Sequence, residues 1–136
     1  MLNTDVEQEV GVSSAVTVPT DSGDARVLVL QVKVATLLRL FEGNRSEMGR
    51  YFGVSRAQPG RWLSGADRPA PEVVRRIEDL SWIWDRLTAE TSEDVARDWL
   101  RAHNAFLDTT PLDALEYASA GQVVGAWDAE QAGSYA

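Results

Sequence analysis

Two long stretches place apolar residues at helical spacing, and this periodicity restricts the fold more than any other feature of the chain. Leu30, Val34, Leu37, Leu38 and Phe41 form one stripe of a helix that ends near Gly43. Its first residues, VLVLQVKV, are β-branched enough for a strand, but the stripe that follows favours a helix. Val74, Ile77, Leu80, Ile83, Trp84 and Leu87 form the second stripe, on a helix entered at Pro71 and running to about Leu87. With Trp82 beside Ile83 and Trp84, that helix carries more apolar surface than one core face needs. Packing on two sides and a homodimer through this region are expected. The fold class is all-α.

Between the long helices lies 53-GVSRAQPGRWLSG-65. Ser46 is expected to cap a helix running to Phe52, with Gly53 as the left-handed turn residue and Ser55 as cap of a helix that stops at Gly65. Gly49 at the helix crossing and Met48, Val54 and Trp62 as apolar anchors complete a helix-turn-helix pattern. The alternative is a three-helix core with an ordinary tight turn. With Ser55 as cap, Pro59 becomes the fourth helical residue and forfeits a hydrogen bond, while Gly60 costs about 1 kcal/mol against alanine. The expected result is a blunted reading head. Arg56, Gln58 and Arg61, following Ser55, are candidates for base edges or phosphates, and Arg45, Arg50 and Arg68 for the backbone. A solvated surface charge is the competing reading for each arginine.

Residues 1–26 are polar and short of large side chains, which predicts a disordered arm. Residues 27–88 then hold the helix-turn-helix domain and 89–136 a small C-terminal domain. In the latter, Val95, Trp99 and Leu100 mark a helix ending near His103, which serves as its C-terminal cap. Thr110 as cap, Pro111 as first residue and Asp113 in the first turn start a short helix through Tyr117. A last helix covers about 122–131, with Val123, Val124 and Trp127.

Charge divides along the same line. From Arg39 to Arg76 eight arginines face four acids, a local balance of +4 in a chain of 136 residues whose net charge is −8. After Arg101 there is no Lys or Arg, while Asp108, Asp113, Glu116, Asp128 and Glu130 remain. A cleft that holds a pyrophosphate must be cationic, so an acidic segment has the right sign to fill one. A solvated acidic surface would look the same.

Chemistry of the chain's own is not expected. There is no cysteine, which excludes cysteine nucleophiles and thiolate zinc sites; the one histidine, His103, has no second histidine near it for a metal, and there is no glycine-rich phosphate loop. The absence of cysteine fits a cytoplasmic protein, and no apolar run approaches a membrane span.

The segment 99-WLRAHNAFLDTTPLDAL-115, following GVS…RWLSG…P, resembles the bacterial antitoxins of the Xre/MbcA/ParS type. The matching residues are Trp99, Leu100, Asn104, Leu107, Pro111, Leu112 and Leu115, over a resemblance running from about Leu37 to the C-terminus. His103 stands where the family usually has proline, Asp108 where it has glycine, and Pro59-Gly60 where it has Val-Ser. The resemblance implies an antitoxin that binds a RES-domain toxin, an enzyme consuming NAD, and closes its active site with the C-terminal region. Many members also bind their own promoter. On this reading Asn104, Leu107, Pro111, Leu112 and Leu115 contact the toxin. Trp127 and Tyr135 anchor in it from a free tail, and Asp128 and Glu130 meet the cations that hold NAD phosphates. Trp127 has a second reading, packed back onto its own core. Two other functions compete: a stand-alone helix-turn-helix regulator whose acidic half dimerises, and an interaction adaptor without DNA.

Overall fold

The computed structural model describes residues 22–133, with side chains from residue 25. Seven helices and no strand occur among these residues: α1 (Ser22–Leu40), α2 (Arg45–Phe52), α3 (Gln58–Ser64), α4 (Pro71–Glu90), α5 (Glu93–Arg101), α6 (Pro111–Ala114) and α7 (Ala120–Gly133). The fold is all-α. α1 therefore begins at Ser22, inside the stretch expected to be an arm, and it is helical through VLVLQVKV. None of the described helices is long and apolar enough to cross a membrane.

α4 is the axis of the molecule, contacting α1 along one side and α5 and α7 along others. Its buried face, Val73, Ile77, Leu80, Ser81, Ile83, Trp84 and Leu87, is wider than a single stripe because helices lie on more than one side of it. Ile83 and Trp84 are consumed in this way by the chain's own core; Trp82 alone remains half exposed. The helix runs straight through residue 88. One continuous apolar cluster extends from Leu30 to Trp127, so both halves of the chain share a core.

Local chemistry sets the helix ends, sometimes at other residues than the spacing suggests. Asn44, not Ser46, caps α2, its Oδ1 accepting from Glu47 N at 2.9 Å. Gly53 supplies the left-handed turn at φ 73°, and Val54 N donates back to Gly49 O at 2.8 Å. Ser55 does not cap α3, which starts three residues later behind Ala57. Pro59 is consequently its second residue, where a missing N–H costs no hydrogen bond. Thr110 caps α6 through Asp113 N at 3.1 Å, with Pro111 first in the helix, as its sequence predicts. α7 opens on a reciprocal box: Gln122 N donates to Ser119 Oγ and Ser119 N to Gln122 Oε1.

Two arginines on α5 fasten the halves together. Arg97 donates to the carbonyls of Arg39 and Leu40, and Arg101 to Leu40 O and to the Glu47 carboxylate at 2.6 Å. They satisfy the last carbonyls of α1, which have no partner within their own helix. Their spacing of four residues puts both on one face of α5. The contact is invisible to local sequence rules.

Candidate functional site

The pair α2–α3 is built around Gly49. A Cβ there would stand 2.7 Å from the carbonyl oxygen of Ser55, so only glycine lets the turn lie this close to α2. Met48 and Trp62 are buried beneath the pair and Val54 is half-buried. Phe52 stacks edge-on against Trp62 with ring centroids 6.1 Å apart, which fixes the angle between the two helices.

The candidate DNA-contacting residues then fall into two groups. Arg45, Arg50, Arg56 and Arg68 are exposed and make no ion pair among the described residues. Arg45 reaches over α3, its Nη1 lying 2.9 Å from where a Gly60 Cβ would be. Arg50 instead lines a cleft between α2 and the α5–α6 region, with Tyr51, Arg101 and Asp113. Gln58 and Arg61 belong to the second group, because both are held by Asp67. Arg61 Nε pairs with Asp67 Oδ2, and Gln58 Nε2 donates to the same oxygen at 3.2 Å while its Oε1 accepts from Trp62 Nε1. The hydrogen bonds from Arg61 and Gln58 hold the Asp67 carboxyl below its ordinary range, and Asp67 in turn raises the Arg61 guanidinium. Ser55 is exposed and contributes its carbonyl, which accepts from Gln58 N at 3.1 Å.

The second candidate surface is the loop between α5 and α6. Asn104 is 6% exposed and organises it: Oδ1 accepts from Phe106 N and Leu107 N, and the backbone bridges to Thr109. Asp108 adopts φ 59°, a conformation that favours glycine and tolerates Asp. His103 does not cap α5; it is exposed outside the helix, 4.0 Å from Asp108.

Asn104, Leu107, Pro111, Leu112 and Leu115 mostly face inward. Pro111 and Leu112 are buried, Leu107 and Leu115 are half-buried against the core, and Leu112 O accepts from Tyr51 OH at 2.8 Å. Burial pushes the Tyr51 hydroxyl up to about 12 against the opposing pull of Arg76, which stacks on its ring. The exposed large side chains here are Phe106 on the loop, 67% exposed, and Tyr117 just beyond α6, 69% exposed, whose OH donates to Leu107 O. Two exposed aromatics, one on the loop and one reaching back to it from beyond α6, are a recognition feature. Their sequence signal is weak, because Phe106 is flanked by Ala105 and Leu107 and Tyr117 stands at the expected end of a helix.

α7 is not a free tail. Trp127 is 4% exposed, lies edge-on against Trp99 with centroids 5.2 Å apart, and donates its Nε1 to Glu90 at 2.8 Å. Its expected role as an anchor in a partner gives way to the other reading, packing onto the chain's own core. Asp128 pairs with Arg86 at 2.7 Å, and Glu130 accepts from Trp99 Nε1 and Asn104 Nδ2. Both carboxylates thus have partners within the chain. Tyr135 lies outside the described residues. Among the described residues no group of three His, Asp or Glu side chains is placed to hold a metal.

Comparison with known proteins finds no matching family model, no matching curated protein and no matching solved structure.

Proposed function

We propose that the chain is an antitoxin that neutralises a RES-domain, NAD-degrading toxin, and that it meets the toxin through the α5–α6 loop and the acids flanking it. The observation that carries the reading is how the motif residues are used. Asn104 and Leu107 order the loop that joins Trp99 on α5 to Pro111 and Leu112 on α6, and Phe106 on that loop and Tyr117 beyond α6 stand exposed. Asp108, Asp113 and Glu116 on the same segment are exposed, and supply negative charge to a cleft that otherwise holds NAD phosphates. Glu130, accepting from Trp99 and Asn104, supports this loop from behind, while Asp128 is committed to Arg86 on α4. Inhibition is occlusion by a preformed surface, which loses little entropy on binding.

The test is co-expression with the RES-type enzyme expected in a neighbouring reading frame, with cellular NAD as readout. Phe106→Ser together with Tyr117→Ser should release NAD consumption while far-UV circular dichroism stays unchanged. Full silencing by the double variant would overturn the assignment of this surface, and no physical association with any RES-domain enzyme would overturn the function itself.

A second reading, promoter binding by α2–α3, is favoured by the close approach at Gly49 and the unpaired Arg45, Arg56 and Arg68. With Gln58 and Arg61 held by Asp67, contacts to phosphate dominate, and binding should be weak and steeply salt-dependent. A stand-alone regulator would keep this activity and have no toxin partner.

A further inference from the structure

α1 is apolar on more than its core face. Leu30, Val34 and Leu37 are buried, yet Val29 and Val32 stand 51% and 64% exposed on the same helix. Beside them α1, α4 and the α3–α4 connection enclose a groove of about 230 Å3. Val29, Leu30 and Val74 form its apolar lining, and Arg26, Lys33 and Arg68 surround it with Glu78 as the one opposing charge. Lys33 reaches Glu78 only at 3.9 Å, and Arg26 and Arg68 make no ion pair among the described residues. The groove is apolar inside and positive at its border. One end opens at Ala25 and Arg26, close to where residues 1–21 join α1.

Those residues have the complementary chemistry. They contain Asp5, Glu7, Glu9 and Asp21 with no Lys or Arg, and valines at positions 6, 10, 12, 16 and 18. We propose that the segment 5–18 of the same chain occupies the groove between α1 and α4, valines toward Val29, Leu30 and Val74, carboxylates toward Arg26, Lys33 and Arg68. Reach is ample. The residues from Val10 to Ser22 extend up to ~40 Å at ~3.3 Å each, against ~12 Å of helix between Ala25 and Lys33. Tethering supplies an effective concentration in the millimolar range, so individually weak contacts suffice. Covering Arg68 would also withdraw one cation from the α2–α3 face; that consequence, unlike the docking, rests on the promoter-binding reading.

The chain has no cysteine, so Gln8→Cys accepts a single nitroxide in the full-length protein. With 15N labelling, the nitroxide should broaden the amides of Val29, Leu30, Lys33 and Val74 several-fold more than those of Val124 and Ala126 in α7. Salt at 0.5 M, or Lys33→Glu combined with Arg68→Glu, should reduce that difference. Nitroxide-bearing protein without 15N, mixed with 15N protein lacking the nitroxide, should produce no broadening. Uniform broadening, broadening centred on another surface, or insensitivity to both salt and charge reversal overturns the proposal. Equal broadening in the mixed sample also overturns it, by placing a second copy in the groove. DNA is absent throughout, so failure of the promoter-binding reading leaves the result unaffected.

Discussion

Alanine at Gly49 and at Gly60 should change stability in opposite directions. Both glycines are helical with ordinary φ, so each substitution gains up to about 1 kcal/mol of helix propensity. They differ in what a new methyl meets. At Gly49 it would lie 2.7 Å from Ser55 O and 3.1 Å from Ser55 C, both backbone atoms of the α2–α3 turn. That carbonyl is engaged by Gln58 N, so the turn cannot yield alone. Overpacking costs about 1–3 kcal/mol, and a backbone neighbour places this case in the upper half. After subtracting the propensity gain, Gly49→Ala should destabilise by about 1–2 kcal/mol. At Gly60 the only atom within 3 Å is Arg45 Nη1, the far end of an exposed side chain that can swing aside. Gly60→Ala should therefore stabilise, by about 0.5 kcal/mol because the position lies in the first turn, where propensity acts weakly.

Urea unfolding followed by tryptophan fluorescence gives both values, provided the m-value is unchanged. For a chain of this size about 1 kcal/mol corresponds to ~3–5 °C in Tm. A Gly49→Ala variant as stable as the parent would mean the α2–α3 turn is looser than described. A Gly60→Ala variant less stable than the parent would mean Arg45 is fixed over α3 by something it contacts there.

Three further outcomes follow from side-chain partners. Trp127→Ala should cost about 3–5 kcal/mol in urea unfolding, the loss typical of a buried tryptophan; a cost under about 1 kcal/mol would detach α7 from the core. Tyr51→Phe removes the bond to Leu112 O and should cost about 1–2 kcal/mol at neutral pH. Because the folded hydroxyl is pushed up to about 12, the parent loses stability as pH rises from ~10 toward the folded value, and Tyr51→Phe should lack that component of the slope. Asp67 has the opposite sign: its lowered folded pKa contributes stability that is present above the ordinary carboxylate range and lost as pH falls through the folded value. Asp67→Asn should flatten that acid limb and free Arg61, and on the promoter-binding reading should steepen the salt dependence of DNA binding by about one; an unchanged salt slope would count against Arg61 as a phosphate contact.

What the sequence disclosed tracks the range of the interactions involved. Thr110, Pro111 and Asp113 act on their own helix turn, so their roles were readable from spacing alone. The start of α3 was misplaced because Ser55 is a good cap by type, whereas Pro59 is comfortable as second helical residue and moves the start later. Asn44, accepting from Glu47 N, provides the cap expected of Ser46; both are capping types and stand two residues apart, so type alone does not choose between them. α7 was harder. Ala and Gly surround Val123, Val124 and Trp127, leaving no polar face to say which side is buried, and the deciding contacts come from Glu90 and Trp99. Arg97 and Arg101 were equally opaque, since their partners lie more than fifty residues away.

The two candidate surfaces are mechanically one piece. Tyr51 on α2 donates to Leu112 on α6, and Glu47 on α2 pairs with Arg101 on α5, so the arginine-bearing helix is bolted directly to the aromatic loop. Arg76 on α4 adds a third tie, stacking on Tyr51 and Phe52 and donating to Tyr51 O. Between them stands a core without a break from Leu30 to Trp127. A partner docking at Phe106 and Tyr117 therefore has no hinge among the described helices through which to reorient α2–α3. On the proposed function, an effect of that partner on DNA binding would act through its own bulk or charge beside Arg50, which lines the same cleft as Arg101 and Asp113. Arg50 is then the residue at which the two activities would meet. Reversing its charge should alter DNA binding in the complex more than in the free protein.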